Sequence, residues 1–517
     1  MVDPTVVTGK EEFIQTAASV EEKTRVPVEL RTTVADPFSA YQRLRYREGG
    51  AFLETTGGQS GWGYFGVDPM YWLTVYPDGT VVDDETSSGG IAGFDGATDS
   101  HTLTALQSSL EEEQLARGSC TVPYPCGAIG WLSYDVIREI EDLPDKTTDD
   151  RQLPHAQLAF YDTLVAWEEP QSGPVTLHVT VCPEITDTGS LEQIYSQAVD
   201  RGAHLIEQMH SETMNVPVGQ PAVENTSQIT FQSNCGKTAF AERVHDAQQY
   251  IRDGDTFQAN ISQRLQAPAA VPPVSVYDAL RQVNPAPYSA LLEFPAADLV
   301  SASPELLLEY DQPQIRTEPI AGTRPRGDTQ TEDEHLEEDL LTDEKERAEH
   351  AMLVDLERND LGKVSKYGSV NVTEYGRIDR YSEVMHLVSL VEGELQSDAT
   401  LADAIAAMFP GGTITGAPKP RTMEVIDELE TTRRGPYTGS VGIFGFDNRA
   451  ILNIIIRTLV RRADAYHLRV GAGIVHDSVP DQEFDETLDK ARALINAVDE
   501  ALGDQLQMTV EEESDHV

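Results

Sequence analysis

The stretch Gly471–Lys490 reads GAGIVHDSVPDQEFDETLDK and combines a strand pattern with a helix pattern. Its first part alternates small and apolar residues, and Gly471 and Gly473 leave backbone N–H groups open to close approach by an anion. Ser478 and Pro480 then give the pattern of a helix N-terminus, with Ser478 as the expected cap. The stretch therefore predicts a strand that leads into a helix, with an anion-binding backbone beside it.

The predicted helix separates its apolar face from its acidic residues. At about 100° per residue the apolar side chains fall on one side, while Glu483, Glu486 and Lys490 form a separate stripe. Glu483 and Glu486 lie one turn apart and can share a divalent cation. Acids in the first turns of a helix also commonly do no more than complement its dipole. This helix alone leaves both explanations open.

A second helix carries an acidic pair with the same spacing. Residues Lys345–Gly362 read KERAEHAMLVDLERNDLG, which predicts a helix ended by Gly362, with Glu346 and Glu349 one turn apart. Asp343 and Glu346 also have capping-box spacing, so a purely structural role for Glu346 stays open. Two pairs on two helices allow a cage of four carboxylates, and a hard cation such as Mg²⁺, shared with the oxygens of a substrate, suits such a cage.

Further motifs accompany the two acidic helices. They are PIAGTRPRG at Pro319–Gly327, RYSEVMH at Arg380–His386, PGGTITGAPKPR at Pro410–Arg421 and the strand that carries Arg457. As a set, these motifs resemble the chorismate-utilising enzymes, in particular the anthranilate synthase component I family, from about Phe240 to Leu502. The resemblance implies one large layered α/β sandwich with mostly antiparallel sheets in two subdomains.

The order of strand and helix patterns leads to the same fold class. Strands and helices do not alternate as βαβ units, which favours an α+β layered fold over a doubly wound one. GSVGIFGFD, ILNIIIRTLV and HLRVGAGIV predict an antiparallel meander of three strands. The acidic passage Asp328–Glu346 can be a bare solvated loop.

A Pro-, Gly- and Ser-bearing stretch gives the expected domain boundary. We interpret residues 211–228 as a connection. It divides an N-terminal regulatory region, residues 1–210, from a chorismate-binding catalytic region, residues 229–503, and residues 504–517 are an acidic tail.

Composition excludes several classes of partner. The chain has 38 Lys and Arg against 87 Asp and Glu, a net charge of −49, and would repel nucleic acid. Acids spread along most of the chain indicate a surface adapted to high salt and a halophilic source. Four cysteines without CxxC spacing indicate neither a zinc site nor a redox pair. Without a signal peptide or an apolar run of about 18 residues, we expect a soluble, cytoplasmic protein with no membrane partner.

The resemblance also implies roles for individual residues around chorismate, a small dianion. Arg457 follows three isoleucines, so burying it is costly without an anion or an internal acid to pair with. His386 offers an imidazole for proton transfer while the 4-hydroxyl and then pyruvate are lost. The implied catalytic residues are His386, Thr323 and Lys490. The implied substrate-binding residues are Gly322, Thr323, Tyr437, Arg457, Gly471, Ala472, Gly473 and Lys490. The implied Mg²⁺ ligands are Glu346, Glu349, Glu483 and Glu486.

Two positions distinguish the activities within this family. Isochorismate and salicylate synthases carry a lysine where this chain has Gln258, which cannot deprotonate a water. Aminodeoxychorismate synthase component I usually carries a lysine where this chain has Ala321. Both positions favour addition of ammonia followed by loss of pyruvate to give anthranilate. PGGTITGAPK and GDTFQANISQR nevertheless resemble aminodeoxychorismate synthase component I, which stays the alternative activity. A metal-dependent binding protein without enzymatic activity is the alternative function from a different class.

The resemblance further implies a protein partner and an inhibitor. The chain lacks a GxCxG nucleophile with its His-x-Glu, so we expect a separate glutamine amidotransferase subunit, anthranilate synthase component II, to supply ammonia. The family forms a tryptophan pocket from two motifs, which here read Phe52–Thr55 and Asn284–Ser289. We therefore expect feedback inhibition of the first committed step of tryptophan biosynthesis, with tryptophan bound by Glu54, Thr55, Asn284, Pro287 and Tyr288.

Overall fold

The structure is a computed structural model of the 517-residue chain. It describes residues 4–45, 50–56, 58–83, 100–186, 190–211, 229–327, 329–381, 384–503 and 508–510. Of the predicted connection and acidic tail, only Ser211 and Met508–Val510 lie within these residues. The boundaries of the two regions stay predictions.

Helices occur throughout the described residues. They are α1 (Lys10–Ala17), α2 (Pro37–Leu44), α3 (His101–Glu111), α4 (Leu191–Met209), α5 (Gly236–Asp253), α6 (Pro273–Val283), α7 (Gln330–Thr342), α8 (Glu344–Val364), α9 (Leu401–Met408), α10 (Lys419–Leu429) and α11 (Pro480–Leu502). Short 3₁₀ turns cover Tyr134–Glu139 and Gly412–Ile414.

The strands, in chain order, are β1 (Thr5–Val6), β2 (Thr24–Arg25), β3 (Val28–Val34), β4 (Gly50–Glu54), β5 (Gly61–Gly66), β6 (Tyr71–Tyr76), β7 (Gly79–Asp83), β8 (Gln114–Leu115), β9 (Gly127–Leu132), β10 (Ala156–Tyr161), β11 (Thr163–Glu169), β12 (Val175–Val181), β13 (Ile229–Ser233), β14 (Gln258–Pro268), β15 (Tyr288–Glu293), β16 (Asp298–Ser303), β17 (Leu306–Asp311), β18 (Gln314–Thr317), β19 (Ile320–Pro325), β20 (Asn371–Arg380), β21 (Val384–Glu394), β22 (Gly416–Ala417), β23 (Ser440–Gly445), β24 (Arg449–Asn453), β25 (Thr458–Arg462), β26 (Ala465–Ile474) and β27 (Met508–Val510).

Two large sheets organise these strands. Within the described residues, a 14-stranded sheet has the order β1-β3-β12-β11-β5-β4-β15-β16-β25-β26-β14-β13-β27, with β22 beside β14. An 11-stranded sheet has the order β19-β21-β18-β17-β24-β23-β9-β10-β6-β7, with β20 beside β21. The pairs β2–β8 and β13–β27 are parallel, and the pairs inside the two large sheets otherwise run antiparallel. Strands from both ends of the chain contribute to both sheets.

The sheets stack face to face, with helices on their outer sides. One apolar cluster lies between the two sheets and includes Tyr64 and Leu292 from the larger sheet and Trp131 from the smaller one. A second cluster joins the larger sheet to α1, α2, α4, α6 and α11, and a third joins the smaller sheet to α3, α8 and α9. The predicted α+β layered sandwich with mostly antiparallel sheets is therefore confirmed.

The predicted three-strand meander is wrong. The stretch ILNIIIRTLV forms two strands in different sheets: β24 belongs to the smaller sheet and β25 to the larger one. The chain passes between the sheets at residues 454–457, and Arg457 adopts a positive φ of 50° there. A continuous apolar run carries no signal for this crossing, because both halves are buried.

Three local expectations also differ from the structure. The acidic passage is not a bare loop, because most of it forms α7. Helix α8 continues past Gly362 to Val364, since glycine inside a helix costs only about 1 kcal/mol. The N-cap of α11 is Val479, and the Ser478 hydroxyl accepts a hydrogen bond from the Val475 backbone N–H instead.

The close contact between Gly63 and Trp167 offers a test of the sandwich. A methyl group on Gly63 of β5 would lie 2.1 Å from the ring of Trp167, which is fully buried, whereas one on the exposed Gly79 of β7 would meet nothing within 4 Å. We expect Gly63→Ala to lose about 1–3 kcal/mol of stability through overpacking. Gly79→Ala is the matched control. Equal melting temperatures for the two variants would contradict this packing.

Candidate active site

The bulge between β19 and β21 carries the first group of predicted site residues. Thr323 of β19 is the register partner of His386 of β21, and the register shifts between Ala321 and Thr323. Gly322 sits in this bulge at φ +70°, and a methyl group there would lie 2.8 Å from Leu340 and 3.0 Å from a carboxylate oxygen of Glu346. The bulge therefore requires glycine, and it brings the Glu346 carboxylate close to this backbone.

Two contacts fix the orientation of His386. Its Nδ1 lies 3.0 Å from the Thr323 hydroxyl and 3.4 Å from the Gly322 carbonyl oxygen. A carbonyl only accepts hydrogen bonds, so these contacts assign the proton to Nδ1. Nε2 is buried and has no hydrogen-bond partner among the described residues. The ring therefore presents an unused lone pair.

Burial determines the charge of His386. Desolvation, reinforced by the positive charge of Arg457, lowers its pKa to about 4, although the Gly322 carbonyl opposes this shift. The imidazole is therefore neutral near pH 7 and can accept a proton at Nε2. The ring of Tyr381 packs edge-on against it at 5.4 Å between centroids.

Strand β26 carries the second group. A methyl group on Gly471 would lie 2.8 Å from the Tyr437 hydroxyl, and one on Gly473 would lie 2.5 Å from Nε2 of Gln258. Both glycines thus allow neighbouring side chains to approach the strand closely. Lys490 of α11 donates to the Gly471 carbonyl at 3.1 Å, which ties the helix to the strand. Ala472 faces the other way and is buried in the cluster between α5, β14 and α11.

Arg457 is a partly buried cation at the crossing between the sheets. Burial lowers the pKa of its guanidinium, and the nearby Tyr381 and Glu305 oppose that shift. Within the described part of the chain, its side chain forms no ion pair within 4 Å and no hydrogen bond. Because an unpaired buried cation is costly, the position suits an anionic ligand.

The structure holds three of the four predicted metal-binding glutamates with internal donors. Glu349 accepts from Gln258 Nε2 at 2.8 Å, Glu346 from Arg324 at 3.1 Å, and Glu486 pairs with Lys490 at 2.7 Å. In each case only one carboxylate oxygen is used. The described residues bring no three of the four within 4.8 Å of one another.

Glu483 gives the clearest sign that a cation suits this position. Burial raises its pKa, and the neighbouring Glu486 adds to this effect, while Ser478 and Lys490 oppose it. A carboxylate that resists ionisation next to a second carboxylate is stabilised by a cation. Carboxylate oxygens such as those of Glu349, Glu483 and Glu486 are the ligand type that Mg²⁺ prefers, although these three do not converge within 4.8 Å in the described structure. Glu346, held by Arg324, is the weakest of the four candidates.

Two buried acids beneath this region escaped the sequence analysis. Burial raises the pKa of Glu305 to about 8 and that of Glu357 to about 7. Glu357 accepts from the Gly412 backbone N–H at 3.1 Å, within the PGGTITG motif. Gln258 was noted only as an absent lysine, although its amide bonds Glu349. Glu357 lies in α8 among several other acidic residues, and the sequence does not show which of them is buried. Only the three-dimensional contacts distinguish Glu357 and Gln258 from their neighbours.

A cavity of about 400 Å³ lies between the two sheets. Its lining includes four of the five residues predicted to bind tryptophan: Glu54, Thr55, Pro287 and Tyr288. Asn284 is not among the lining residues. The same cavity is lined by Asn453, Tyr381, Trp62 and the ion-paired residues Arg316 and Arg377.

The carboxylate of Glu54 is already occupied. It accepts from the Tyr277 hydroxyl at 2.8 Å and from Arg281 at 3.0 and 2.8 Å. The Glu54 carboxylate is therefore not free to bind the ammonium group of tryptophan in this geometry. The Thr55 side chain remains on the cavity wall, next to Gly61.

Comparisons with known proteins identify the family and agree with this fold. The family model described as chorismate binding enzyme matches residues 64–496, so the chain belongs to the chorismate-binding enzymes. It is 61% identical over 513 residues to "Anthranilate synthase component 1 3" of Haloarcula marismortui, covering 98% of this chain and 97% of that protein. It is 60% identical over 509 residues to "Anthranilate synthase component 1 1" of the same organism, covering 98% and 99%.

A solved structure extends the likeness to three dimensions. Anthranilate synthase component I from Streptococcus pneumoniae superposes with a TM-score of 0.72 at 30% identity, covering 84% of this chain and 92% of that one. The predicted resemblance to anthranilate synthase component I and the prediction of an enzyme of this kind are thereby confirmed. No helix in the described residues combines the length and apolar character needed to cross a bilayer.

The lowered pKa of His386 predicts how stability depends on pH. In the unfolded chain His386 has a pKa of 6.5, whereas in the folded protein its pKa is about 4. The unfolded state therefore binds more protons between these pH values, and folding stability falls as the pH drops through this window. Between pH 6.5 and pH 4 the free energy of unfolding should therefore fall less in His386→Gln than in the parent protein, and the difference should reach up to about 3 kcal/mol. The exposed His245 provides the control His245→Gln. Parallel pH profiles for the His386 variant and the parent protein would contradict the assignment.

Proposed function

We propose that this chain converts chorismate and ammonia to anthranilate and pyruvate, as the names of its relatives indicate for those proteins. The single observation that carries the proposal is Arg457, a partly buried cation whose side chain has no ion-pair or hydrogen-bond partner among the described residues, beside a neutral His386 with a free Nε2. A dianionic substrate supplies the anion that Arg457 lacks. The imidazole supplies a base next to it.

The residues of the chain divide the chemistry as follows. Arg457 and Tyr437 bind the enolpyruvyl carboxylate, and backbone N–H groups near Gly471 and Gly473 contact the substrate. At Nε2, His386 takes a proton from the attacking ammonia and gives it to the 4-hydroxyl, which leaves as water; it then takes a ring proton and returns it to the departing enolpyruvyl group, which leaves as pyruvate. The Gly322 carbonyl keeps the proton of the neutral imidazole on Nδ1, and Thr323 helps to hold the ring in place.

Mg²⁺ is the proposed cofactor. The free carboxylate oxygens of Glu349, Glu483 and Glu486 would hold it, with Glu346 as a further candidate. The bound cation neutralises the ring carboxylate of the substrate in a protein whose net charge is −49. Gln258 positions Glu349 by donating to its other oxygen.

The activity is tested with the purified chain in molar KCl with Mg²⁺, chorismate and an ammonium salt. We expect fluorescent anthranilate and an equal amount of pyruvate. Glutamine in place of ammonium should give no product until a glutamine amidotransferase subunit is added. Accumulation of aminodeoxychorismate would favour the alternative activity, and accumulation of isochorismate would contradict the proposal. Glutamine-dependent turnover by the chain alone would show that no partner subunit is needed.

The proposed Mg²⁺ site predicts a loss of activity without a loss of fold. Glu349→Gln should lower kcat/KM by about 100-fold or more, because the cation loses a charged ligand. The exposed Glu344 begins the same helix, and Glu344→Gln is the matched control. Mg²⁺-dependent initial rates and melting curves separate the two effects. If Glu349→Gln lost thermal stability in proportion to activity, the role of Glu349 would be structural.

We further propose that tryptophan binds the 400 Å³ cavity and inhibits turnover. Its size lies within the range of roughly 300–1,000 Å³ typical of small-molecule sites, and Tyr288 and Trp62 offer ring contacts for an indole. We expect Thr55→Ala to raise the inhibitory tryptophan concentration at least about tenfold without changing uninhibited turnover. Thr33 is exposed on β3, and Thr33→Ala serves as the control. Calorimetry that detects no tryptophan binding to the parent protein at high salt would end this proposal while leaving the catalytic one intact.

A further inference from the structure

Three side chains converge at the edge of the smaller sheet, away from the candidate active site. His101 begins α3, Glu139 ends the 3₁₀ turn after β9, and His155 directly precedes β10. One ring nitrogen of each histidine and one Glu139 carboxylate oxygen all lie within 4.8 Å of one another. The His101 Nε2 to Glu139 Oε1 distance is 3.2 Å, and His155 Nδ1 hydrogen-bonds the same oxygen.

The carboxylate at the centre of this cluster is buried and anionic. Its side chain is 5% exposed. Burial alone would raise the pKa of Glu139, but hydrogen bonds from His155, Ser100 and Thr102 outweigh burial and hold the pKa below its usual value. Among the described residues, its only charge partners are the imidazoles of His101 and His155. Such a buried charge requires a compensating cation.

His101 adds an independent sign of a missing ligand. Its Nε2 is buried and makes no hydrogen bond within the described structure, although it faces Glu139 at 3.2 Å. A His–Glu contact in the larger sheet differs in one respect. Glu29 accepts from His178 at 2.9 Å but also pairs with Arg31 at 2.7 Å, so its charge is already balanced.

We propose that His101, Glu139 and His155 form a metal site for a borderline divalent cation such as Zn²⁺, separate from the proposed Mg²⁺ site. Tetrahedral coordination at about 2.0–2.1 Å separates ligand atoms by about 3.3 Å. The 3.2 Å between His101 Nε2 and Glu139 Oε1 matches this spacing, whereas the hydrogen-bonded His155 Nδ1 has to move away from that oxygen when the metal binds. Two imidazoles with one carboxylate select Zn²⁺ over Mg²⁺, which prefers oxygen ligands.

The cation takes the place of the proton between His155 Nδ1 and Glu139 Oε1, so both imidazoles bind in their neutral form. The other Glu139 oxygen keeps its hydrogen bonds from the Ser100 hydroxyl at 2.7 Å and the Thr102 backbone N–H at 2.9 Å. These contacts orient the ligand as outer-sphere partners do in metal proteins. The His101 side chain is 42% exposed, so a water molecule completes the coordination.

The bound cation would join three segments that are distant in the chain. We therefore expect Zn²⁺ to raise the melting temperature, because it binds the folded chain in preference to the unfolded one. The site does not touch the residues assigned to chorismate chemistry. Its test is consequently independent of the proposed reaction.

Co²⁺ is the probe. The full-length chain, stripped with a chelator and kept in KCl with excess Mg²⁺, is titrated with Co²⁺ while the visible absorption of tetrahedral Co²⁺ is followed. We expect one equivalent to bind, Zn²⁺ to displace it, and acidification to release it. His101→Asn, at the exposed rim, should weaken Co²⁺ binding by at least about tenfold while chorismate turnover is unchanged.

The matched control is His178→Asn, which alters the charge-balanced His–Glu contact and should leave Co²⁺ binding intact. Glu139→Gln and His155→Gln should abolish the tetrahedral spectrum, with circular dichroism to confirm that each variant folds. Stoichiometric Co²⁺ binding of equal affinity in the parent protein and His101→Asn would overturn the proposal. So would the absence of a tetrahedral spectrum in the parent protein.

Discussion

The antiparallel pairing of β14 with β26 is the constraint on which the candidate active site depends. It runs from Ala259 and Ile474 to Pro268 and Ala465 without a register shift. Leu265 and Leu468 form one cross-strand pair on the apolar face, and Arg264 and Arg469 form the next pair on the opposite face. Because side chains alternate along a strand, a slip of one residue would exchange these faces. The apolar core against α6 and α11 thereby fixes the face of β26 on which Gly471 and Gly473 of the candidate site lie.

Charge imposes a second constraint, because a protein with a net charge of −49 must hold cations where a dianion is to bind. Several buried arginines in the described structure already have a carboxylate partner. Glu430 accepts from Arg434 at 2.8 Å and faces Arg469 at 3.4 Å, and although burial opposes ionisation, these cations lower its pKa to about 2. Arg457 lacks such a partner. The difference between Arg434 and Arg457 is the difference between a cation that stabilises the fold and one that is available to a ligand.

The sequence predicts the features that repeat with a regular period, and it fails where contact depends on the path of the chain. The apolar face of α11 is buried as the spacing of Phe484, Ala491 and Ile495 requires, with Glu483 and Glu486 off that face. The crossing before Arg457 was missed, because a buried run of isoleucines reads the same in one sheet as in two. The occupation of Glu54 by Arg281, which lies 227 residues further along the chain, has no local signal at all.

For the proposed inhibition, the same geometry offers a route from a ligand between the sheets to His386. Tyr381 lines the 400 Å³ cavity, and its ring also packs against His386 at 5.4 Å. Val388, two residues after His386 on β21, lines the cavity as well. A ligand that displaces Tyr381 would therefore change the contact that supports the His386 imidazole. The coupling free energy between the two sites equals the difference in ligand binding free energy between the two positions of Tyr381. Tyr381 thus provides a direct physical contact between the two sites, and no long chain of intermediates is needed to connect them.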